Sequence, residues 1–454
     1  WWSMQQQSLQ EKNVSNNGLV GYLVVLAWVS VCGAGGYGYQ TSDYVMHNGR
    51  LLDLINYSWP VSYTRPDGNV SILVQYAGYY LWPALVGKIA GVPVAMFAQH
   101  LWLLAGCWLA LRMLVILTNV RTWIAALGLL LFGGWDVVAQ WLFESVKHSN
   151  VLIYFDTQNI EQYSFHTWLI TPTMLDFWPT TELMQGIWFG NFVSLSASLM
   201  WAPHQIVAGW LVVGLLCHAC YQQKIMTSLL ACALLAYYAP MIALGLLPMV
   251  LVLVVWQWAN TGWRREDVFL TMVGISVLSV LGIYYVSVSV GNQPYGVLPI
   301  IKMDKFIFLI FLLKSWLLYA VFIFLYRHWL DKKMRFFSGA IFFSAVILPC
   351  VYYGVYNDFM VRSSSAVYFG MLLLVLAIFH NLWASGLHWR AALLIVLLLP
   401  GIFSGISNVL VATTHADVRV AGKSIANYIG GWQFMGREDS WFVRYLSAEL
   451  QTQK

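Results

Sequence analysis

Five places in the chain carry polar residues at spacings that could do chemistry, and each lies in or beside a long apolar run. Polar side chains are costly near hydrocarbon, so those that persist there are functional candidates by default. The first is Thr41 to Arg50, where Asp43 and His47 are four residues apart and Arg50 follows one turn on. On a helix these three line one edge as a carboxylate, an imidazole and a guanidinium, with Asn48 beside them. The plain alternative is a solvated helix with Asp43 as its N-terminal cap. The second is Asp53, ten residues beyond Asp43 and nearly opposite it around a helix, which argues against a paired-carboxylate mechanism. The third is Gly133-Gly134-Trp135-Asp136, read as lying within a membrane span, with Gln140 and Glu144 following. An acid there needs a cation or a hydrogen-bond network. The fourth is the loop 144–202, with Glu161, His166, Asp176 and Glu182, closing on Trp201 and on His204 next to Pro203, a sequence that suits a first helical turn. A histidine at a span end is usually a satisfied interfacial residue, so the loop's length is the stronger clue. The fifth is Asn357 to Ser365, where Arg362 precedes three serines at a helix start. Backbone N–H groups, hydroxyls and a guanidinium fork would cradle an anion there, the alternative being an Asp358–Arg362 pair four residues apart.

The elements that position these residues are membrane helices. Of 454 residues, 60% are hydrophobic and 9% charged, with mean hydropathy +0.67. Soluble chains carry about 25% charged residues, so a water-soluble domain is excluded. The net charge of +5 comes from singly scattered Lys and Arg, which reads as topology and not as a nucleic-acid footprint. Runs long enough to span fall at 19–36, 93–118, 122–143, 203–221, 225–239, 241–259, 267–287, 306–326, 336–356, 365–384 and 391–411, with Pro240 breaking 225–259 into a hairpin. A cytoplasmic N-terminus places Lys12, Arg121, Lys224, Arg264, Arg265, Arg327, Lys332, Lys333, Arg335 and Arg390 on one side. The loops 37–92, 144–202 and 288–305 and the tail 412–454 then share the other. Segments 43–57 and 71–90 read as two interfacial helices after the first span, the latter carrying Tyr76, Tyr79, Tyr80, Trp82 and a snorkelling Lys88. The expected fold is an all-α polytopic membrane protein of about 11 transmembrane helices. Residues 1–411 form the membrane domain, with the site on loops 37–92 and 144–202, and 412–454 form an exterior tail. All six cysteines lie in apolar stretches, so no disulfide is expected. Cys217-His218-x-Cys220 lacks a second ligand pair and reads as packing rather than as a zinc site.

No P-loop, GxGxxG, GxSxG or HExxH pattern occurs in a fitting context, which removes the main support for ATP-driven transport and metalloprotease chemistry. In segments 42–63, 79–91, 133–141, 201–211, 357–369 and 433–446, taken in order, the chain resembles the GT-C superfamily of polytopic glycosyltransferases. Within it the sequence is similar to the bacterial membrane arabinofuranosyltransferases that decorate type IV pilins. The resemblance implies a catalytic acid in the first exterior loop, two juxtamembrane helices there and a polyprenyl-phosphate-linked sugar as donor. It also implies a protein or glycan acceptor in the periplasm and a place in the bacterial inner membrane with the site facing the periplasm. Carried onto this sequence, Asp43 is the base. Arg362, with Arg50, His47 and His204, contacts the donor phosphate. Asn48, Asp136, Glu144, Glu161, Glu182 and Trp201 contact sugar or acceptor. Many members show paired acids in this loop, whereas Asp43 stands alone, so no metal ligand is assigned and dependence on a divalent cation stays open; no other cofactor is implied. Two other classes compete. A lipid-linked sugar transporter would show mid-membrane ionisable groups and two similar halves, of which only Asp136 is evident. A non-catalytic scaffold leaves unexplained why Asp43 and Arg362 return to one membrane face.

Overall fold

A hydrocarbon phase leaves backbone N–H and C=O groups no partners but each other, so apolar runs of these lengths must become helices. A computed structural model of the chain describes residues 18–41, 43–64, 70–135, 192–262, 264–286, 295–297, 309, 311–354, 357–414, 422–427, 435–437 and 440. Its helices are α1 (Gly18–Val31), α2 (Tyr44–Asn56), α3 (Gly78–Ala90), α4 (Val92–Thr118), α5 (Thr122–Leu131), α6 (Leu195–Trp201) and α7 (Pro203–Gln222). They continue with α8 (Ile225–Tyr238), α9 (Pro240–Thr261), α10 (Arg265–Val286), α11 (Leu318–Leu325), α12 (Lys332–Ile347), α13 (Asp358–Ala384) and α14 (His388–Thr414). Among the described residues, seven helices are long and apolar enough to cross a membrane: α4, α7, α9, α10, α12 with its last turn, α13 and α14. Each of the remaining apolar segments read from the sequence overlaps a shorter apolar helix. Pro240 does divide a hairpin, since the head of α8 meets the tail of α9, where Gln257 Oε1 accepts from the Ile225 N–H.

α13 is the axis of the bundle. It touches α4, α5, α6, α7, α9, α11, α12 and α14, and its most apolar stretch is 83% buried. Lipid is as apolar as leucine, so close packing and polar contacts must hold such helices together. Trp210 on α7 supplies both, stacking on Phe369 at 5.9 Å and on Trp28 at 6.5 Å while its Nε1 donates to Ser365 Oγ at 2.9 Å. At one end of the bundle, Asp331 caps α12 by accepting from the Lys333 and Met334 N–H groups, and the Tyr221 hydroxyl donates to the same carboxylate. That end carries the basic loops around Lys224 and 327–335.

The fold is helical as expected, with five short strands among the described residues forming two small sheets. Three expectations are corrected. Segment 71–90 is not one interfacial helix. It starts as strand β2 (Val70–Leu73), paired antiparallel with β1 (Ser62–Thr64) and with β5 (Met435–Arg437), and turns helical only at Gly78. The span expected at 122–143 stops being helical after Leu131, so Gly133-Gly134-Trp135 is not within a helix. The cause is a crossing too close for side chains, since a Cβ on Gly133 would meet Ser194 Cβ at 2.8 Å and the Gly401 carbonyl at 3.2 Å. The segment 336–356 ends its helix before Val351, where β4 (Val351–Tyr353) pairs with β3 (Tyr295–Val297).

Opposite the basic end, α2, α3, β1 and β2 form a small module beside the bundle. A turn at Gly33–Gly38 launches it, with four glycines at positive φ. At Gly35 a side chain would collide with the Met96 carbonyl, so only glycine fits. Leu51, Leu54, Tyr63, Leu73, Tyr80 and Met96 make the module's own apolar core, which Ile425 and Met435 from the end of the chain complete.

Candidate functional site

The module and two helix starts converge around one tyrosine. Tyr76 lies in the turn between β2 and α3 with φ 58°, a left-handed conformation that costs a bulky residue on the order of 1–3 kcal/mol. Its ring carries a guanidinium on either account: Arg50 of α2 has Cζ 5.8 Å from the centroid, and Arg362 of α13 has Cζ 5.8 Å from it as well. Arg50 is 1% exposed and also lies 5.2 Å from the Tyr80 ring. Gln205 reaches the Tyr76 hydroxyl. Burial raises the Tyr76 and Tyr80 hydroxyls, which keeps them neutral donors.

Asp43 occupies the N-cap position of α2, yet its side chain makes no capping hydrogen bond. The ordinary explanation for an acid at this position therefore does not apply. The carboxylate is solvent-exposed but ringed by protein, and this partial dehydration raises it above the usual carboxylate range. Arg362 pulls it back, Asp358 pushes it further up, and Arg50 again opposes. A carboxyl group beside two guanidinium groups is the result.

Arg362 reaches this place from the second turn of α13. Its Nη2 donates to Asp358 Oδ1 at 3.2 Å, so the intrahelical pair foreseen as the alternative to anion binding is present, while its buried Nε has no partner among the described residues. The serine cradle does not form. Ser363 donates to the Met241 carbonyl at 2.8 Å, Ser364 to the Val361 carbonyl at 3.1 Å, and Ser365 accepts from Trp210. The helix starts at Asp358, so these serines fall a turn too late and pack into the bundle.

His47 is buried between Tyr80, whose hydroxyl is 2.7 Å from Nδ1, and the Trp201 carbonyl, 3.2 Å from Nε2. Its ring also lies 4.6 Å from that of His204. Burial and then Arg50 lower its pKa to about 3, which favours the neutral ring. His204 sits in the first turn of α7, as Pro203 suggests, with Nε2 2.7 Å from Gln205 Nε2 and against the Tyr76 ring at 5.3 Å. Asn48 is buried and donates to Gln40 Oε1 at 3.2 Å, and Gln40 in turn holds the Gly33 carbonyl. Trp201 ends α6 and enters the site through its carbonyl.

Asp43, His47, Arg50, His204, Arg362 and the Trp201 backbone are thus brought together. Asp136, Glu144, Glu161 and Glu182 lie outside the described residues. Asp53 points away from the group, as its spacing implies, and its buried Oδ2 accepts from Tyr63, Ser424 and the Ile425 N–H at 2.7, 3.0 and 3.0 Å. Sequence reasoning missed Tyr76 and Tyr80 as site residues, reading them only as interfacial aromatics, and missed Gln205. Among the described residues no three His, Cys, Asp or Glu side chains gather as a metal site. No family model, no curated protein and no solved structure matches this chain.

Proposed function

We propose that the chain is a membrane glycosyltransferase of the GT-C type, moving a sugar from a polyprenyl-phosphate donor to a periplasmic acceptor such as a pilin or an envelope glycan. Arabinofuranose is the sugar that the sequence resemblance implies, and eleven membrane crossings with the site facing the periplasm are the matching topology. One observation carries the reading: an exposed carboxylate without a cap partner stands beside a buried and a half-buried guanidinium group that share the Tyr76 ring.

That set suits one displacement. Asp43 accepts the proton of an acceptor hydroxyl as its oxygen attacks the anomeric carbon, and the bond from that carbon to the phosphate oxygen breaks. Phosphate is already a good leaving group and needs no strong acid. Its growing charge needs fixed cations, which Arg362 and Arg50 supply from a site with little water. Attack from one base inverts the anomeric centre. The pair with Asp358 holds Arg362 in place before the donor arrives.

The test is to incubate the purified protein in nanodiscs with a panel of polyprenyl-phosphate sugars and cell-envelope acceptors, and to read the anomeric configuration of the product by NMR. Transfer with inversion from one donor is expected. Transfer with retention, or lipid-linked sugar moved across the bilayer with no glycosidic product, would overturn the assignment.

A further inference from the structure

His47 is 5% exposed and held between the Tyr80 hydroxyl and the Trp201 carbonyl. Its hydrogen bonds have only one consistent direction. A carbonyl oxygen can only accept, so the proton between His47 and Trp201 resides on Nε2. A neutral ring with Nε2–H leaves Nδ1 as an acceptor, so the Tyr80 hydroxyl must spend its single proton on it. The Tyr80 oxygen is then left with lone pairs alone, and the group bonded to it there is Arg50. The chain of donors runs from Arg50 to Tyr80, from Tyr80 to His47, and from His47 to the backbone carbonyl that ends α6.

We infer that His47 is a positioning residue: as a neutral acceptor it fixes the Tyr80 hydroxyl, which in turn fixes the Arg50 guanidinium against Tyr76. The inference rests on the reading of Arg50 as a phosphate contact and adds how that contact is aimed. A protonated His47 would carry N–H on both nitrogens, leaving Tyr80 without an acceptor and adding a third cation beside two arginines. Three neighbouring groups oppose that charge, Arg50 from its own helix, Arg362 from α13 and His204 from α7, against the Asp43 carboxylate one turn earlier on α2, while the rings of Tyr44 and Tyr80 pack on the imidazole. The relay also joins three separate elements, since α2 gives His47 and Arg50, α3 gives Tyr80, and the carbonyl belongs to the junction of α6 and α7. The carbonyl at the junction of α6 and α7 is therefore linked to the arginine through three hydrogen bonds.

Two measurements on the full-length protein in nanodiscs decide this. The first needs no activity. With 15N-labelled histidine, His47 is expected as the neutral Nε2–H tautomer from pH 5 to 9, with its Nδ1 signal displaced in Tyr80→Phe. A cationic ring at neutral pH, an Nδ1–H tautomer, or a signal indifferent to Tyr80→Phe would overturn the relay. The second titrates farnesyl phosphate by tryptophan fluorescence. His47→Ala and Tyr80→Phe are expected to weaken binding about 10-fold, as loss of a hydrogen bond to a charged group does, while His47→Asn, which returns an acceptor near the place of Nδ1, recovers affinity to within about 3-fold. Binding that strengthens as pH falls through 6.5 in wild type but not in His47→Ala would make His47 a cation and end the positioning role. Failure of wild type to bind any farnesyl phosphate would count against the phosphate reading alone, with the histidine spectrum still deciding the relay.

Discussion

At the scale of residues, the site is defined by what its members are not already doing. Asp43 sits where a capping acid belongs and makes no cap, and Arg362 keeps a buried Nε unmatched among the described residues beside its bond to Asp358. Asp43→Asn should lower transfer by about 100-fold or more, the usual contribution of a positioned base, with donor binding little changed. The pH profile follows from the carboxyl's surroundings. In the proposed mechanism Asp43 works only when deprotonated, and because burial and Asp358 raise its pKa, activity should fall on acidification at a higher pH than an ordinary carboxylate would give. Asp358→Asn removes a negative neighbour and leaves Arg362 fully charged toward Asp43. Both effects favour the carboxylate, so the acid limb of kcat should shift to lower pH; a limb that stays in place or moves up would detach Asp43 from it. Asp43, Arg50 and Arg362 were legible in the sequence from residue type and their nearness to spans. Tyr76 was not, because nothing local marks a tyrosine for left-handed backbone. That conformation is imposed by β2 on one side and α3 on the other.

At the scale of elements, the module holding the site is closed by the end of the chain. Asp53 binds β1 through Tyr63 and the segment 422–427 through Ser424 and Ile425, and β5 extends the sheet alongside β2. Replacing that carboxylate by alanine strands buried donors, at a cost of about 3 kcal/mol. Asp53→Ala should therefore open the clasp locally, seen as tryptic cleavage after Lys423 that quickens by about 10-fold or more while the bundle's melting transition moves little. Equal cleavage in both proteins would mean the clasp does not hold the tail. The helices were readable because an apolar run of membrane length has one stable conformation. Strand β2 was not, since its partners are β1 across a turn and β5 near the opposite end of the sequence, and a run of Ser71, Ile72 and Leu73 fits a helix as well as a strand. The early end of α5 was hidden for a similar reason, because the crossing at Gly133 depends on Ser194 and Gly401.

At the scale of the molecule, charge and chemistry separate along the bundle axis. Lys224, Lys333 and Asp331 gather at one end, and Asp43, Arg50, Arg362 and the tail clasp at the other. In the proposed topology, with the basic loops cytoplasmic, the site faces away from the cytoplasm. In intact cells, a membrane-impermeant maleimide should label Gly422→Cys above the wild-type background and spare Ser385→Cys until the membrane is permeabilised; the reverse pattern would put the site on the cytoplasmic face. Helix α10 packs along α8 at the edge of the bundle, with 6% of its most apolar stretch buried and Phe269, Met272 and Val280 among its exposed residues, as a lipid-facing helix should be.

The measurement closest to the central claim is release of free polyprenyl phosphate from a panel of polyprenyl-phosphate sugars in the presence of envelope acceptors, comparing wild type with Asp43→Asn of equal fold. Release by wild type from one donor, reduced about 100-fold or more in Asp43→Asn, is the predicted result. Equal release by both proteins would remove Asp43 as the base, and no release from any donor by folded wild type would contradict lipid-dependent glycosyl transfer altogether.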